Sequence, residues 1–174
     1  MVNDTTKSQF EIKVEQSQQF STIYEANQAM VFRLCRGYFN GDEALASDAA
    51  QEVFIKVWQH LASFRQESSI ITWIYRIAVN TCLSYLKKPA RRKEVQTEQL
   101  PEVKADEYDT ITEERLKKMY HCISLLDEPS RIIILMVLEG VGYPDIAEVV
   151  GITEDNLRVR IHRIKKQLSN CVQL

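Results

Sequence analysis

Residues 143–168 read YPDIAEVVGITEDNLRVRIHRIKKQL, and the spacing within them decides how the C-terminal part folds. Ala147 is small enough to let two helices approach closely. Gly151, four residues on, is free to take the left-handed conformation that a sharp interhelical turn needs. Thr153 stands where it caps the second helix, and Leu157 returns to the core between the two. At about 100° per residue, Leu157, Ile161, Ile164 and Leu168 fall on one stripe of that second helix. The opposite face carries Arg158, Val159, His162, Arg163 and Lys166, with Asp155 near its N-terminal end. This is the layout of a helix-turn-helix, and an apolar back with a basic, hydrogen-bonding front suits a helix laid in the major groove of DNA. The basic stripe by itself fits an ordinary surface helix equally well; the Ala–Gly–Leu spacing tips the reading toward DNA.

The surrounding composition supports an all-α chain. Five glycines and four prolines in 174 residues are too few for the many turns of an all-β fold, while 45% apolar residues suffice for packed cores. The net charge of −2 advertises no nucleic-acid binding, so distribution matters more than sum. No acid follows Asp155, whereas Arg158, Arg160, Arg163, Lys165 and Lys166 cluster on one short element. The N-terminal residues are polar and lack the apolar stretch of a signal peptide. The longest aliphatic run, Ile132 to Leu138, is far too short to span a bilayer, so no direct membrane insertion is expected and the cytoplasm is the expected location. Cys35, Cys82, Cys122 and Cys171 are scattered without a CxxC pair, which reads as free thiols in a reducing compartment. His121 beside Cys122 has no second ligand pair at metal spacing, so no metal or cofactor is expected.

Upstream, apolar periodicity marks a helix from about Gln18 to Tyr38, a break at Gly41-Asp42, and a second helix from Ala46 to Leu61 with the stripe Ala49, Val53, Val57 and Leu61. A polar loop, Ser63 to Ser69, leads to a third helix from about Ile70 to Lys87, ended by Pro89. Residues 88–110 mix charges and two prolines with little periodicity and read as a flexible linker. Helical spacing resumes near Ile111, and Pro129 opens a further helix that runs to about Glu139. Two shorter helices follow, hinged at Gly151. The expected organisation is a polar tail over residues 1–16, a first helical domain over 17–88, the linker over 89–110 and a second helical domain over 111–174.

A helix-turn-helix does not by itself name a function. Here two stretches carry a resemblance. DAAQEVFIKVWQHLASFRQESSIITWIYRIAVNTCLSYLKK, residues 48–88, closely resembles region 2 of sigma-70-type factors of the extracytoplasmic-function (ECF) group. LLDEPSRIIILMVLEGVGYPDIAEVVGITEDNLRVRIHRIKKQL, residues 125–168, is similar to region 4 of the same group. With the helix before Gly41 the resemblance covers about 150 of the 174 residues, in the family's order and around a linker of the family's kind.

The resemblance implies roles. Asp48, Gln51, Glu52, Phe54 and Lys56 match the helix that docks on the clamp coiled coil of RNA polymerase, although Phe54 also reads as core and Glu52 as a solvated charge. The loop from Phe64 to Ser69 and the helix bearing Trp73, Tyr75, Arg76 and Asn80 match the part that captures the −10 promoter element. In that group one non-template base is extruded into a pocket beneath the loop. A flipped base needs an amide or hydroxyl on its pairing edge and aromatic or apolar walls, which Asn80, Ser68, Ser69 and Phe64 supply in kind. Trp58 and Trp73 read first as core residues, with Trp73 kept as a candidate contact. Lys87, Lys88, Arg91 and Arg92 would lie near the DNA backbone. On the −35 element the matching set is Asn156, Arg158, Val159, Arg160, His162, Arg163 and Lys166.

Three departures stand out. Gln66 replaces a glycine common in the −10 loop, Pro144 replaces a helix former at a first turn that tolerates it, and His162 with Val159 alter the reading face. The implied partners are core RNA polymerase, promoter DNA and an anti-sigma factor, often membrane-linked, that can hold such a chain near the membrane. The third region and acidic N-terminal domain of larger sigma factors have no counterpart, so self-inhibition by such a domain is not expected. Two rivals remain open. A self-sufficient regulator would dimerise and footprint a palindrome without polymerase. An all-helical enzyme lacks here any glycine-rich phosphate loop, paired metal ligands or plausible Ser–His–Asp set, and no catalytic residues are expected.

Overall fold

A computed structural model describes residues 3–65, 67–85 and 107–173, with side-chain surroundings defined for 14–65, 67–85 and 112–172. The linker reading, the four cations from Lys87 to Arg92 and the Gln66 departure lie wholly or largely outside these residues. Seven helices make up the described chain: α1 (Asn3–Tyr38), α2 (Glu43–Leu61), α3 (Ile70–Tyr85), α4 (Glu107–Ser124), α5 (Glu128–Leu138), α6 (Tyr143–Val150) and α7 (Glu154–Gln173). Each falls in a stretch that the sequence marks as helical, by periodicity or, for α6, by the helix-turn-helix spacing, although α1, α2 and α4 begin earlier than that reading places them. The stretch over residues 1–16, expected to be a polar tail ahead of the first helix, is instead helical from Asn3, because no glycine or proline interrupts the run before Gly37 and Glu, Lys and Gln are good helix formers.

The breaks follow local chemistry. Asn40 and Gly41 both take positive φ (58° and 86°), turning the chain sharply after α1. Asp42 then caps α2, its Oδ1 accepting from the Leu45 amide at 2.8 Å. Ser69 does the same for α3, accepting from the Thr72 amide at 3.1 Å. Pro129 and Pro144 sit in the first turns of α5 and α6, where a missing N–H costs nothing.

Helices α1 to α3 form a three-helix body around Val31, Leu34, Val53, Val57, Ile74 and Ala78. Helices α4 to α7 form a second body around Ile123, Ile133, Met136, Ile146, Leu157 and Ile164. The two are not merely tethered: they share one continuous core. The cause lies in α5, where Ile132, Ile133, Ile134, Leu135 and Met136 are all buried. A helix apolar on every side must find partners on every side, and its own body covers only part of α5. Helix α1 covers the rest. A Cβ at Gly37 would collide with the Leu135 side chain, so the glycine permits the close approach. Around this seam Arg131 lies over the Tyr38 ring at 5.3 Å and Arg36 over the Tyr120 ring at 5.6 Å.

The cysteines correct the free-thiol reading. Cys122 of α4 and Cys171 of α7 form a disulfide, with Cα atoms 5.9 Å apart. They are 49 residues apart in sequence, so only the packing of α4 against α7 reveals them as a pair. Cys35 and Cys82 remain free and buried, Sγ to Sγ 3.8 Å across α1 and α3. Their contact and burial raise the Cys82 thiol pKa well above its usual value. Among the described residues no cluster of His, Cys, Asp or Glu is placed to hold a metal, and Cys122 is taken up by its disulfide.

Candidate nucleic-acid interface

The turn before α7 forms as its spacing dictates. Gly151 is left-handed, at φ 71° and ψ 37°, and the Ile152 amide donates to the Ala147 carbonyl at 3.1 Å. Thr153 Oγ1 accepts from the Asn156 amide at 3.4 Å, the capping contact expected of it. Leu157, Ile161 and Ile164 are buried, with Leu168 half-buried below them. This stripe fixes the rotation of α7. Asn156, Arg158, Val159, Arg160, His162, Arg163 and Lys166 are therefore all exposed. Arg158 lies over the Tyr143 ring at 5.2 Å and pairs loosely with Glu154 at 3.4 Å, while its neighbours along the face stand in solvent. A rigid helix presenting cations, an imidazole and an amide on one face is equipped to grip phosphates and read base edges.

On the first body, a surface pocket of about 740 Å³ opens between the α2–α3 loop and α1. Phe64, Ser68 and Ser69 line it, joined by Gln19, Thr22 and Ile23 from α1. Trp73 stacks on Phe64 with ring centres 4.9 Å apart and holds the aromatic wall in place. The pocket thus brings together hydroxyls, an aromatic wall and apolar floor, the components a flipped base requires. Asn80 is not brought to it. It is exposed on α3, about 15 Å along the helix from Ile70 at 1.5 Å per residue. The α1 contribution was missed in the sequence because Gln19 and Thr22 are unremarkable polar residues and Ile23 reads as part of the helix's apolar stripe, until the loop packs beside them.

Arg76 is also placed differently from a free DNA contact. Its guanidinium pairs with Glu148 Oε1 of α6 at 2.8 Å. One turn back, the Thr72 hydroxyl donates to Asp145 Oδ1 at 2.8 Å and contacts Ser69 Oγ, also at 2.8 Å. At the other end of the seam Arg33 holds Glu139 through Nε and Nη2, at 2.7 to 3.0 Å, and the carboxylate raises the Arg33 pKa. The Glu139 side chain is only 12% exposed.

The third surface is α2. Asp48 and Gln51 are exposed, and Glu52 and Lys56 are half-buried and paired at 3.1 Å. Lys56 also donates to Thr81 Oγ1 at 3.0 Å, tying α2 to α3. Phe54 is buried, edge-on to Tyr24 with ring centres 4.7 Å apart, so it supports the face from beneath. Trp58, read as core, is 40% exposed beside Ile55 at 56%, with Phe20 edge-on to it at 5.2 Å. The outer side of α2 therefore mixes carboxylate, amide and apolar groups in one patch.

Comparison with known proteins adds independent findings. The family model for Sigma-70 region 2 matches residues 23–92, and that for Sigma-70 region 4 matches residues 116–168. The chain is 34% identical over 139 residues to the ECF RNA polymerase sigma-E factor of Haemophilus influenzae, covering 72% of this chain and 74% of that one. It is equally similar to the factor of the same name from Escherichia coli strain K12, with coverage of 72% and 73%. Among solved structures, CnrH in complex with the cytosolic domain of CnrY aligns with a TM-score of 0.67 at 21% identity, covering 90% of this chain and 89% of that one. The sigma factor RpoE in complex with the anti-sigma factor NepR from Bartonella quintana aligns with a TM-score of 0.70 at 18% identity, covering 90% and 98%.

Proposed function

Since the chain belongs to the ECF group of the sigma-70 family, we propose how its three surfaces divide the work of directing RNA polymerase to promoters. As a sigma factor it is a transcription initiation factor and not an enzyme; polymerase supplies the bond chemistry. The outer side of α2, with Asp48, Gln51, Glu52 and Lys56 over the buried Phe54, docks on core polymerase. The exposed face of α7 reads the −35 element as duplex, with Arg158, Arg160, Arg163 and Lys166 on phosphates and base edges and Asn156, Val159 and His162 among them. The pocket of Phe64, Ser68 and Ser69, walled by Trp73, takes an extruded base of the opened −10 element. Arg76 and Asn80 follow along α3 as contacts to the same strand.

The observation that supports this reading is the presence of two unlike surfaces on two bodies: an exposed basic helix face, which suits duplex, and a concave pocket with an aromatic wall, which suits a single base. The proposed partners are core polymerase, promoter DNA and an anti-sigma factor, of the kind seen bound to the structural neighbour RpoE. Among the described residues no helix is long and apolar enough to cross a membrane.

The test is runoff transcription from a promoter library with purified core polymerase, with and without the chain. Specific transcripts that depend on the chain support the reading. Arg163→Ala should weaken dependence on the upstream element with core binding intact, and Phe64→Ala should lower the yield of opened complexes. Absence of any chain-dependent transcript, together with no co-purification with core, would overturn it.

A further inference from the structure

We propose that Cys122–Cys171 is a thiol-exchange site, opened by a dithiol protein of the thioredoxin kind, and that its redox state sets how firmly α7 presents its DNA-reading face. The second half of the proposal rests on the sigma reading above and concerns its regulation.

Compartment and exposure together lead to it. A factor that serves RNA polymerase works in a reducing cytosol, where the disulfides that do form are usually transient and catalytic or redox-sensing. This chain nonetheless joins two of its four cysteines, and it does so at the surface. The two sulfurs are unlike. Cys122 is 2% exposed, whereas Cys171 is partly exposed near the end of α7. An incoming thiolate therefore meets Cys171, and Cys122 is the leaving sulfur. The pocket beside the bond has Leu125 and Leu126 on its apolar side and Asp127 and Gln167 on its polar side. Such a mixed surface suits a short stretch of polypeptide flanking the attacking thiol, and Leu125, 68% exposed, offers that stretch an apolar contact.

The exchange balances in two steps. A thiolate of the dithiol protein bonds to Cys171 Sγ, the Cys122–Cys171 bond breaks, and Cys122 leaves as a thiolate and takes up a proton. The second thiol of the partner then loses a proton and attacks its own neighbour in the mixed disulfide, releasing Cys171 as the second thiol. The partner's dithiol is oxidised to a disulfide and the chain's disulfide is reduced by the same two electrons. The oxidised form of such a partner runs the steps in reverse.

The bond matters to α7 because of where it falls. Leu157, Ile161, Ile164, Leu168 and Cys171 succeed one another at steps of three and four, so Cys171 ends the stripe that fixes the helix's rotation. Beyond half-buried Leu168, the flanking Ser169, Asn170 and Val172 are all exposed. The disulfide is thus the tie that holds the end of α7 against α4. Without it the helix frays from that end, as untied termini do, toward Lys166 and Arg163, five and eight residues before Cys171.

The test uses the full chain, oxidised in air, and a thioredoxin whose second active-site cysteine is replaced by serine. The proposal expects a one-to-one adduct that mass spectrometry maps to Cys171, that reductant dissolves, and that Cys171→Ser does not form. In runoff transcription from a promoter that needs its −35 element, core polymerase with chain reduced by intact thioredoxin should make roughly threefold fewer transcripts than with oxidised chain. Reoxidation should restore them, and Cys122→Ser/Cys171→Ser should stay at the reduced level under both treatments. No adduct, or an adduct at Cys35 or Cys82, would overturn the exchange site. Equal transcription by the oxidised and reduced parent would overturn its control of α7. Absence of transcripts from every form would instead overturn the sigma reading, while the adduct still reported on the exchange site.

Discussion

Reduction of Cys122–Cys171 should loosen the second body, and the size of the effect follows from the topology. The disulfide closes a loop of 49 residues that contains the last turn of α4, all of α5 and α6 and nearly all of α7. On the chain-entropy account, closing a loop of that length removes about 4 kcal/mol of freedom from the unfolded ensemble at 25 °C, and 2–4 kcal/mol is the range such bonds commonly reach. Cys122 is buried whereas Cys171 is partly exposed, and a surface pocket of about 440 Å³ lined by both, with Leu125, Leu126, Asp127 and Gln167, gives a small thiol access. The assay is urea unfolding followed by helical circular dichroism, comparing air-oxidised protein, the same protein in reductant, and Cys171→Ser. The oxidised parent should unfold at the highest urea concentration, and reductant should shift the parent but not the variant. Thiol titration of the denatured, unreduced parent should count two thiols, Cys35 and Cys82, of the four cysteines. A count of four after air oxidation, or coincident curves for all three samples, would refute the reasoning.

Gly151→Ala should cost about 1 kcal/mol, because the position is left-handed at φ 71° yet has open space where a Cβ would stand; a urea melt checks it, and no loss would show that the turn relaxes. Alkylation of the native chain by a maleimide at pH 8 should spare Cys82, whose thiol is held neutral by Cys35 and by burial, and mass spectrometry of digests would reveal any early labelling. The same burial raises the Tyr38 pKa from 10.0 to about 12. A raised acid of this kind contributes stability that is complete below its unfolded pKa and is lost as pH rises through its folded one, so the chain should become easier to unfold between pH 10 and 12, less so in Tyr38→Phe.

Much of this architecture is present in the sequence as periodicity. The α7 stripe of Leu157, Ile161 and Ile164 was readable because a helix repeats itself every few residues, and the reading face follows from the buried one. Gly151 and Thr153 were readable because turns and caps depend on near neighbours. The seam was not. Arg33–Glu139, Thr72–Asp145 and Arg76–Glu148 each join residues 72 or more positions apart, and an exposed-looking carboxylate carries no local mark of its partner. One signal did exist: five consecutive buried apolar positions in α5 exceed what a single face can use, and they require a second neighbour. Likewise the −10 pocket was half visible. Phe64, Ser68 and Ser69 lie within one six-residue loop segment, but Gln19 and Thr22 join them only through the packing of α1, and Asn80 is carried away along α3 by the helix itself.

The shared core has a consequence in time. A ribosome delivers the chain from its N-terminus at about 5–20 residues per second, and domains tend to fold as they emerge. Helices α1 to α3 are complete by Tyr85, whereas the part of the second body that reaches across begins at Glu128. For roughly two to nine seconds of synthesis at those rates, the groove at Gly37 and the edge at Arg76 have no internal occupant. Whatever protein is bound to recognise that edge meets it first on the nascent chain, before α5 and α6 exist to compete for it.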